Sequence, residues 1–285
     1  MRGTPGDLTP DPSAIVAALR EWLAGAGDPA TRRALEALIP GAKTVGVQVP
    51  VLRSAAAELR RSRKDLPLET VADIMDTLAA SRVREEILIG TFWLARYGKK
   101  LGGLPWDRVA AWLAALDNWE TCDQLAMGVA APVLDASPDP AGCLLPLTIA
   151  RSTWSRRFAL ATASALNQKG RARVAETLAV CAPLVADPAP EVRKAVGWAL
   201  RAATAHDPEA VEKFLRDHRG RMHPTVLREG AEKLPVERQM ALTRGEKSTR
   251  SAGPRGAPKS APASRTPKAS RPKRSSTAAS TRRRS

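Results

Sequence analysis

The sequence predicts an all-α protein, built as a solenoid of stacked helical repeats and followed by a basic tail. Three observations support this fold class: helix-forming residues dominate, helix-start signals recur, and a short motif repeats along the chain. Ala, Leu, Arg and Glu are abundant in almost every segment, and these residues have high helix propensity. The alternation of apolar and polar residues that is typical of half-buried strands is absent.

Capping residues divide the chain into segments of helical length. Aspartate caps a first helical turn and proline fits its first position, so helices should start at Asp11-Pro12, Asp28-Pro29, Asp187-Pro188 and Asp207-Pro208. Ends are expected near Gly25, Gly98, Gly102, Pro132 and Gly170. These signals predict about a dozen helices between residues 12 and 242, each of roughly 10–17 residues.

A weak internal repeat predicts how the helices are arranged. Three segments align on Arg84, Arg156 and Arg193, which are 72 and 37 residues apart. A period of about 36 residues fits both separations and places an intermediate unit near Glu120. The segment 187–195 also resembles the start of a HEAT-repeat helix. Because a two-helix unit cannot bury its apolar face alone, such units stack into a curved solenoid with a concave surface.

Most of the positive charge lies at the C-terminus. The 285 residues carry a net charge of +16, and the last 39, from Lys247, contain 12 Lys/Arg and no acidic residue. We therefore predict a flexible N-terminus at 1–11, a repeat domain at 12–243 and a disordered Lys/Arg/Ser/Pro/Ala-rich tail at 244–285. Such a tail is typical of an arm for DNA phosphates or other polyanions. The alternative is a solubilising extension without a dedicated partner.

Several function classes are not predicted. The three cysteines lie far apart and the three histidines have no metal-binding spacing, so neither a disulfide framework nor a metal site is expected. Residues 14–24 are interrupted by Arg20 and Glu21, so no signal peptide is predicted, and no segment is long and apolar enough for a membrane span. We expect a soluble, cytoplasmic protein.

The segment from Asp117 to Asp123 places Trp119 and Asp123 four residues apart. On a helix that we expect to run to about Val133, this spacing stacks the two side chains. The apolar stripe of this helix is Cys122, Leu125, Ala126, Val129 and Val133, with Trp119 at its edge and Asp123 outside it. An indole beside a free carboxylate suits a flat, cationic ligand.

A second tryptophan also lies off its apolar stripe. In the predicted helix 192–204, Trp198 stands between Lys194 and Arg201, a cationic face that suits a ligand with phosphates. The alternative is packing against the next repeat. The other tryptophans are assigned to helix packing: Trp22, Trp93, Trp106, Trp112 and Trp154. One of Arg156 and Arg157 should reach solvent, although an arginine pair is more often a solvated face or an ion pair between repeats.

Taken together, these motifs resemble the DNA alkylation-repair glycosylases built of HEAT-like repeats, the AlkD family. The resemblance covers residues 15–240 and rests on Asn118-Trp119-Glu120-Thr121-Cys122-Asp123, on 154–160, on 194–201 and on 46–53. It implies that Trp119 and Asp123 are the active-site tryptophan and aspartate, and that Trp198 is a second cleft tryptophan. Arg157 would be the active-site arginine, with Arg156 as the alternative. Lys194 and Arg201 would contact DNA.

The chain departs from the family pattern at two places. Glu120 stands where the family motif has a second aspartate. The family also tends to have an aromatic residue, often tyrosine, on an early helix near the lesion, whereas the only tyrosine here is Tyr97. Trp22 is the candidate substitute.

The resemblance implies a cofactor-independent, monomeric DNA glycosylase that removes cationic N3- or N7-alkylated purines from duplex DNA without a deep base-flipping pocket. It would be associated with the nucleoid. Asp123 would stabilise positive charge on the sugar, the two tryptophans would flank the lesion, and Arg157 would hold a phosphate. Two alternatives remain: a non-catalytic protein of the same fold that binds damaged or branched DNA, and a protein–protein scaffold.

Overall fold

The computed structural model describes residues 11–249, with side chains through residue 242, and confirms the all-α prediction. Within this region the only β feature is an isolated bridge between Lys43 and Val83. The helices are α1 Pro12–Ala26, α2 Pro29–Leu38, α3 Val49–Ser62, α4 Leu68–Ala80, α5 Arg84–Ala95, α6 Trp106–Ala111, α7 Trp119–Leu125, α8 Ala131–Asp135, α9 Pro140–Thr148, α10 Thr153–Ala165, α11 Val174–Cys181, α12 Pro190–Ala203, α13 Pro208–His218, α14 Pro224–Ala231 and α15 Val236–Thr249. Nine of these fifteen helices have the predicted length of 10–17 residues, and six are shorter.

The ends of the chain lie largely outside the described residues. The predicted flexible N-terminus falls on residues 1–10, which the structure does not describe, and on Asp11. Helix α15 continues through Thr249, beyond the predicted boundary of the repeat domain at residue 243. The rest of the predicted tail, 250–285, is outside the described region.

Three of the four predicted Asp-Pro starts are confirmed. The carboxylates of Asp11, Asp28 and Asp207 accept hydrogen bonds from first-turn amides, at 3.0, 2.6 and 2.9 Å. The start at Asp187-Pro188 is wrong, because α12 begins at Pro190. Ala189 precedes this second proline, which disfavours the helical region for it, and its backbone is extended. Asp187 instead accepts hydrogen bonds from Arg156.

The helices stack in two layers, as expected for a solenoid. Helices α5, α7, α10, α12 and α14 contact one another in that order and form one layer, and α4, α9, α11 and α13 pack against it. The buried side chains form two clusters, one drawn from Ile15 to Ala161 and one from Ala131 to Leu242. Trp106 and Leu147 pack against both, so apolar packing continues along the stack.

Polar contacts between successive units recur near the predicted repeat length. The Trp112 indole donates to Asp76 and the Arg84 guanidinium donates to Glu120, each across 36 residues. The Arg157 guanidinium donates to Asp123 across 34 residues. The expected intermediate unit near Glu120 is therefore α7, which lies next to α5 in the stack.

Pro132 does not end a helix, contrary to expectation. The chain passes from α7 through a π-helical segment, Ala126–Ala130, directly into α8, which contains Pro132. A proline lacks the amide hydrogen for the helical bond and its ring meets the carbonyl four residues earlier. A π turn just before it widens the backbone and relieves that clash. Gly98 and Gly170, with φ of 57° and 82°, do follow helix ends as predicted.

No described helix is long and apolar enough to cross a membrane.

Candidate functional site

The start of α7 is fixed by Asn118. Its side-chain oxygen accepts hydrogen bonds from the amides of Glu120 and Thr121, at 3.1 and 3.0 Å. Its own amide donates to Asp117 at 2.8 Å. This capping satisfies amides that have no partner within the helix, and it places Trp119 at the first helical position, half-buried, with Asp123 one turn further on.

Asp123 is not a free carboxylate, contrary to the prediction from its position outside the apolar stripe of α7. It is only 9% exposed, and Arg157 from α10 is 8% exposed. The guanidinium donates twice to the carboxylate, from Nε to Oδ1 at 2.9 Å and from Nη2 to Oδ2 at 2.6 Å. Asp123 does lie off the apolar stripe, but α10 covers that side of the helix. The arrangement is a bidentate, charge-assisted pair, which fixes the plane of the carboxylate.

Arg157 has a second partner in the next unit. Its Nη1 donates to the backbone carbonyl of Glu191 at 2.8 Å, and the same nitrogen lies 3.8 Å from the Glu191 carboxylate. Three of its N–H donors are therefore used within the protein. In this geometry Arg157 holds Asp123, and its expected role as a phosphate clamp stays a prediction.

The two candidate arginines have different surroundings. Arg156 donates to both carboxylate oxygens of Asp187, at 2.7 and 3.3 Å, and to the carbonyls of Ala150 and Arg151. It joins the end of α9 to the segment before α12. Only Arg157 of the two contacts Asp123.

Burial and charge act against each other on this pair. Burial raises the pKa of the Asp123 carboxyl above its ordinary value, the Arg157 hydrogen bonds and charge oppose that rise, and the negative charge of Glu191 adds to it. Burial alone would lower the pKa of Arg157, but its contacts with Asp123 outweigh this and raise it. Asp123 is thus a carboxylate in a poorly hydrated place, with a permanent cation as its main counterion.

A cleft of about 540 Å³ lies near this pair, and neither Asp123 nor Arg157 is among its lining residues. Its walls carry two indoles, two carboxylates and one ammonium group, and one side is aliphatic. The lining residues are Leu38, Ile39, Pro40, Asp117, Asn118, Trp119, Trp154, Glu191 and Lys194. Two neighbours of Asp123 connect it with the cleft. Trp119 lies one helical turn before Asp123 and lines the cleft, and Arg157 hydrogen-bonds both to Asp123 and to the cleft residue Glu191.

The remaining predicted residues lie on α12. Lys194 is exposed and lines the cleft. Trp198 follows one helical turn later on the same face, where it is half-buried and packs against the first core cluster. Arg201, a further turn along, donates to Glu232 of α14 at 2.5 Å. Trp198 thus packs against preceding units and not, as the alternative predicted, against the next repeat. Arg201 is engaged in an ion pair between units.

Sequence analysis missed several cleft residues. Trp154 was assigned to packing alone, but it lines the cleft while also packing against the first cluster. Glu191 was not singled out, although its spacing of three residues from Lys194 puts both on one helix face. Trp22 lies elsewhere, in an apolar groove of about 450 Å³ between α1 and α3. Leu38, 60% exposed, stands on the early side of the cleft where an aromatic residue was expected.

Glu120, which stands where the family motif has a second aspartate, forms an ion pair with Arg84. Its carboxylate accepts from Arg84 Nε at 2.5 Å, and Arg84 also donates to Glu85 and to the carbonyl of Val47. Glu85 in turn accepts from the Thr44 hydroxyl at 2.5 Å and from the amides at 45, 46 and 47. This network fixes the loop between α2 and α3, which continues from the aliphatic wall of the cleft.

Comparisons with known proteins agree with this architecture. The family model described as DNA alkylation repair enzyme matches residues 19–234, more than half of the chain. A solved structure titled "Predicted DNA alkylation repair enzyme from Enterococcus faecalis" is similar in fold, with a TM-score of 0.61 and 18% sequence identity. The similarity covers 74% of this chain and 97% of that one. No curated protein matches significantly. The chain belongs to the DNA alkylation repair enzyme family.

Proposed function

We propose that this member of the DNA alkylation repair enzyme family is a DNA glycosylase that hydrolyses the N-glycosidic bond of cationic N3- or N7-alkylated purines in duplex DNA. The observation that carries the proposal is the buried pair of Asp123 and Arg157 beside a cleft walled by Trp119, Trp154 and Glu191. Family membership supports a role in DNA alkylation repair. The reaction class and the site residues are proposed here.

The chemistry suits this set of side chains. Alkylation at N3 or N7 gives the purine a positive charge, so the base leaves without being protonated. Breaking the bond builds positive charge on the deoxyribose, as in other glycoside hydrolyses. The Asp123 carboxylate stabilises that charge and orients the attacking water. Trp119 presents a π face to the cationic lesion, and Trp154 is the second indole of the same cleft.

Arg157 acts as a positioning residue for Asp123. Its two hydrogen bonds keep the carboxylate ionised despite burial and fix its direction, so the negative charge is in place before the sugar becomes cationic. Stabilisation of this kind is strong where water is excluded, because no solvent has to reorganise during the reaction. The positive charge of Arg157 reduces the electrostatic field of the Asp123 carboxylate at the sugar. Glu191 adds a negative charge at the cleft.

The cleft favours selection by charge over selection by base edges. Glycosylases that extrude the target base hold it in a snug pocket and read its Watson–Crick edge. Here the cleft residues Trp119, Trp154 and Glu191 are half-exposed, and Leu38 is 60% exposed. Such a surface binds the lesion through its charge and through the sugar and phosphates of a duplex.

The test is the release of free base. Wild-type protein and the Asp123→Asn variant are incubated with a duplex containing one N7-methylguanine, and free 7-methylguanine and abasic sites are quantified. Release by the wild type, strongly reduced in the variant, is the expected result. Release at equal rates would remove Asp123 from the mechanism, and no release by the wild type from N7-methylguanine or 3-methyladenine duplexes would refute the glycosylase.

One observation favours a second function, the recognition of damaged or branched DNA without excision. The Asp123–Arg157 pair links neighbouring units in the same way as Arg84 and Glu120, with separations of 34 and 36 residues, so its role can be purely structural. This reading predicts tight binding to the alkylated duplex without base release. In either case we propose a monomer acting on duplex DNA, with the basic tail as an additional contact to phosphates.

A further inference from the structure

A second, smaller cavity lies at the C-terminal end of α7. It has a volume of about 180 Å³ and is formed by α3, the end of α5, the π-helical segment and the loop after α10. Its lining residues are Arg53, Phe92, Ala95, Gln124, Met127, Gly128, Ala165, Gln168, Lys169 and Arg171. Three of these are cations and none is a carboxylate. We call Arg53, Lys169 and Arg171 the basic triad.

In the part of the chain that the structure describes, the triad has no acidic partners, a property that it shares with Lys194 of the tryptophan cleft. Among residues 11–242, Arg53, Lys169 and Arg171 form no ion pair, whereas Arg84, Arg156, Arg157 and Arg201 each pair with a carboxylate. Three like charges around one small cavity repel one another unless an anion lies between them. The cavity therefore has the electrostatics of an anion site.

Neutral groups nevertheless hold the two arginines of the triad in place. The Arg53 guanidinium lies 4.2 Å from the centre of the Phe92 ring and donates to Gln124 Oε1 at 2.8 Å. Arg171 donates from Nε and Nη2 to the carbonyl of Ala165, each at 3.2 Å. Lys169 and Gly170 both have positive φ, 54° and 82°, a costly backbone for lysine that the surrounding loop maintains. The two guanidinium groups are positioned without being neutralised, so little ordering of these side chains is needed on binding.

The cavity has a defined place relative to the proposed active site. Gln124 directly follows Asp123, and Glu120, Gln124 and Gly128 lie on one face of the helical segment at four-residue spacing. At 1.5 Å per residue, Gln124 of the cavity lies about 7.5 Å further along the helix axis than Trp119 of the cleft.

We propose that the basic triad binds backbone phosphates of the DNA strand flanking the nucleotide in the cleft. This inference rests on the proposed function and deepens it, because it names phosphate contacts outside the cleft, whereas three N–H donors of Arg157 are used within the protein. Phosphate contacts fix the register of a protein on DNA, so the triad would set which nucleotide lies opposite Trp119 and Asp123.

The first experiment measures the salt dependence of binding by the full-length protein. The probe is a duplex containing a tetrahydrofuran abasic-site analogue, which cannot be cleaved by a glycosylase. Each lost phosphate contact should lower the slope of log K against log salt by about 0.9. Lys169→Gln should lower this slope by the amount of one phosphate contact. The triple variant Arg53→Gln, Lys169→Gln, Arg171→Gln should lower the slope by two to three times that amount. Lys213→Gln, which removes a charge on α13 that pairs with Asp217, is the matched control and should leave it unchanged.

The second experiment locates the contact. Single neutral methylphosphonates are placed at successive positions on either side of the abasic analogue, and each duplex is titrated with wild type and with Lys169→Gln. At the contacted position the wild type should lose affinity while the variant loses less, a coupling that only a shared contact produces. Unchanged slopes in both variants, or equal losses at every phosphate, would overturn the proposal. Because binding alone is measured, absence of base release refutes the glycosylase without deciding this result.

Discussion

Two buried arginine–carboxylate pairs link successive units, and their surroundings set them apart. Arg84 is 1% exposed and contacts two carboxylates and a backbone carbonyl, all of which fix the loop between α2 and α3. Arg157 is 8% exposed and joins Asp123 to Glu191, which faces a cleft with two indoles. The same kind of contact between repeats is thus structural in one place and lies beside a candidate site in the other.

Removing Arg84 should produce the largest effect, on stability. Arg84→Met leaves Glu85 and Glu120 without their cation in a poorly hydrated place, and breaking a buried pair by removing one partner typically costs 3–5 kcal/mol. Urea unfolding followed by circular dichroism measures the loss. An exposed pair provides the matched control: Arg32→Met, which removes the contact with Glu36, should cost about 0.5 kcal/mol or less. Equal losses in the two variants would contradict the structural role of Arg84.

Asp123→Asn should lower the single-turnover excision rate about 10²–10³-fold, the scale for losing one electrostatic stabiliser. DNA affinity should change little, because Asp123 is buried and faces Arg157. Glu120→Gln is the paired variant, since it neutralises a carboxylate in the other buried pair only three residues away. It should lower stability but retain excision within about a factor of 5. If both variants lose excision equally, the two pairs share one structural role.

The pH dependence of excision should follow Asp123. Its ionised form is the active one, and burial raises its pKa, so the single-turnover rate should fall as pH is lowered through that raised pKa. Glu191 contributes to the rise, so Glu191→Gln should shift the midpoint to lower pH. It should also slow excision above the midpoint about fivefold, the scale for one half-exposed charge.

Single-turnover rates measured across a pH series, and corrected for spontaneous depurination, test the predicted midpoint and the predicted loss of rate. A midpoint that is unchanged in Glu191→Gln would show that this carboxylate does not act on Asp123. Glu209→Gln, an exposed change on α13, is the control.

Deleting residues 250–285 should have the smallest effect on the chemistry. The deletion leaves α15 complete and removes a segment rich in lysine and arginine. The salt dependence of DNA binding should become flatter, while the excision rate at saturating protein stays within about twofold of the wild type. An unchanged slope would show that the tail is not an arm for DNA.

The local parts of the prediction succeeded because their causes are local. Asp11, Asp28 and Asp207 cap their helices as expected, since an aspartate before a proline satisfies first-turn amides wherever it occurs. The spacing of Trp119 and Asp123 on one helix also follows from the sequence alone. Asp187 and Pro132 were misjudged because a second proline at 190 and a π turn at 126–130 changed the backbone nearby.

The sequence by itself determined the helical class, the repeat length and the candidate residues on α7, α10 and α12. Only the tertiary structure decided that Asp123 is buried and paired, that Arg157 and not Arg156 is its partner, and that Glu191, Trp154 and Leu38 share the cleft. The physical reason is that one helix specifies its own faces, whereas the burial of a side chain depends on the neighbouring repeat, roughly 35 residues away in the chain.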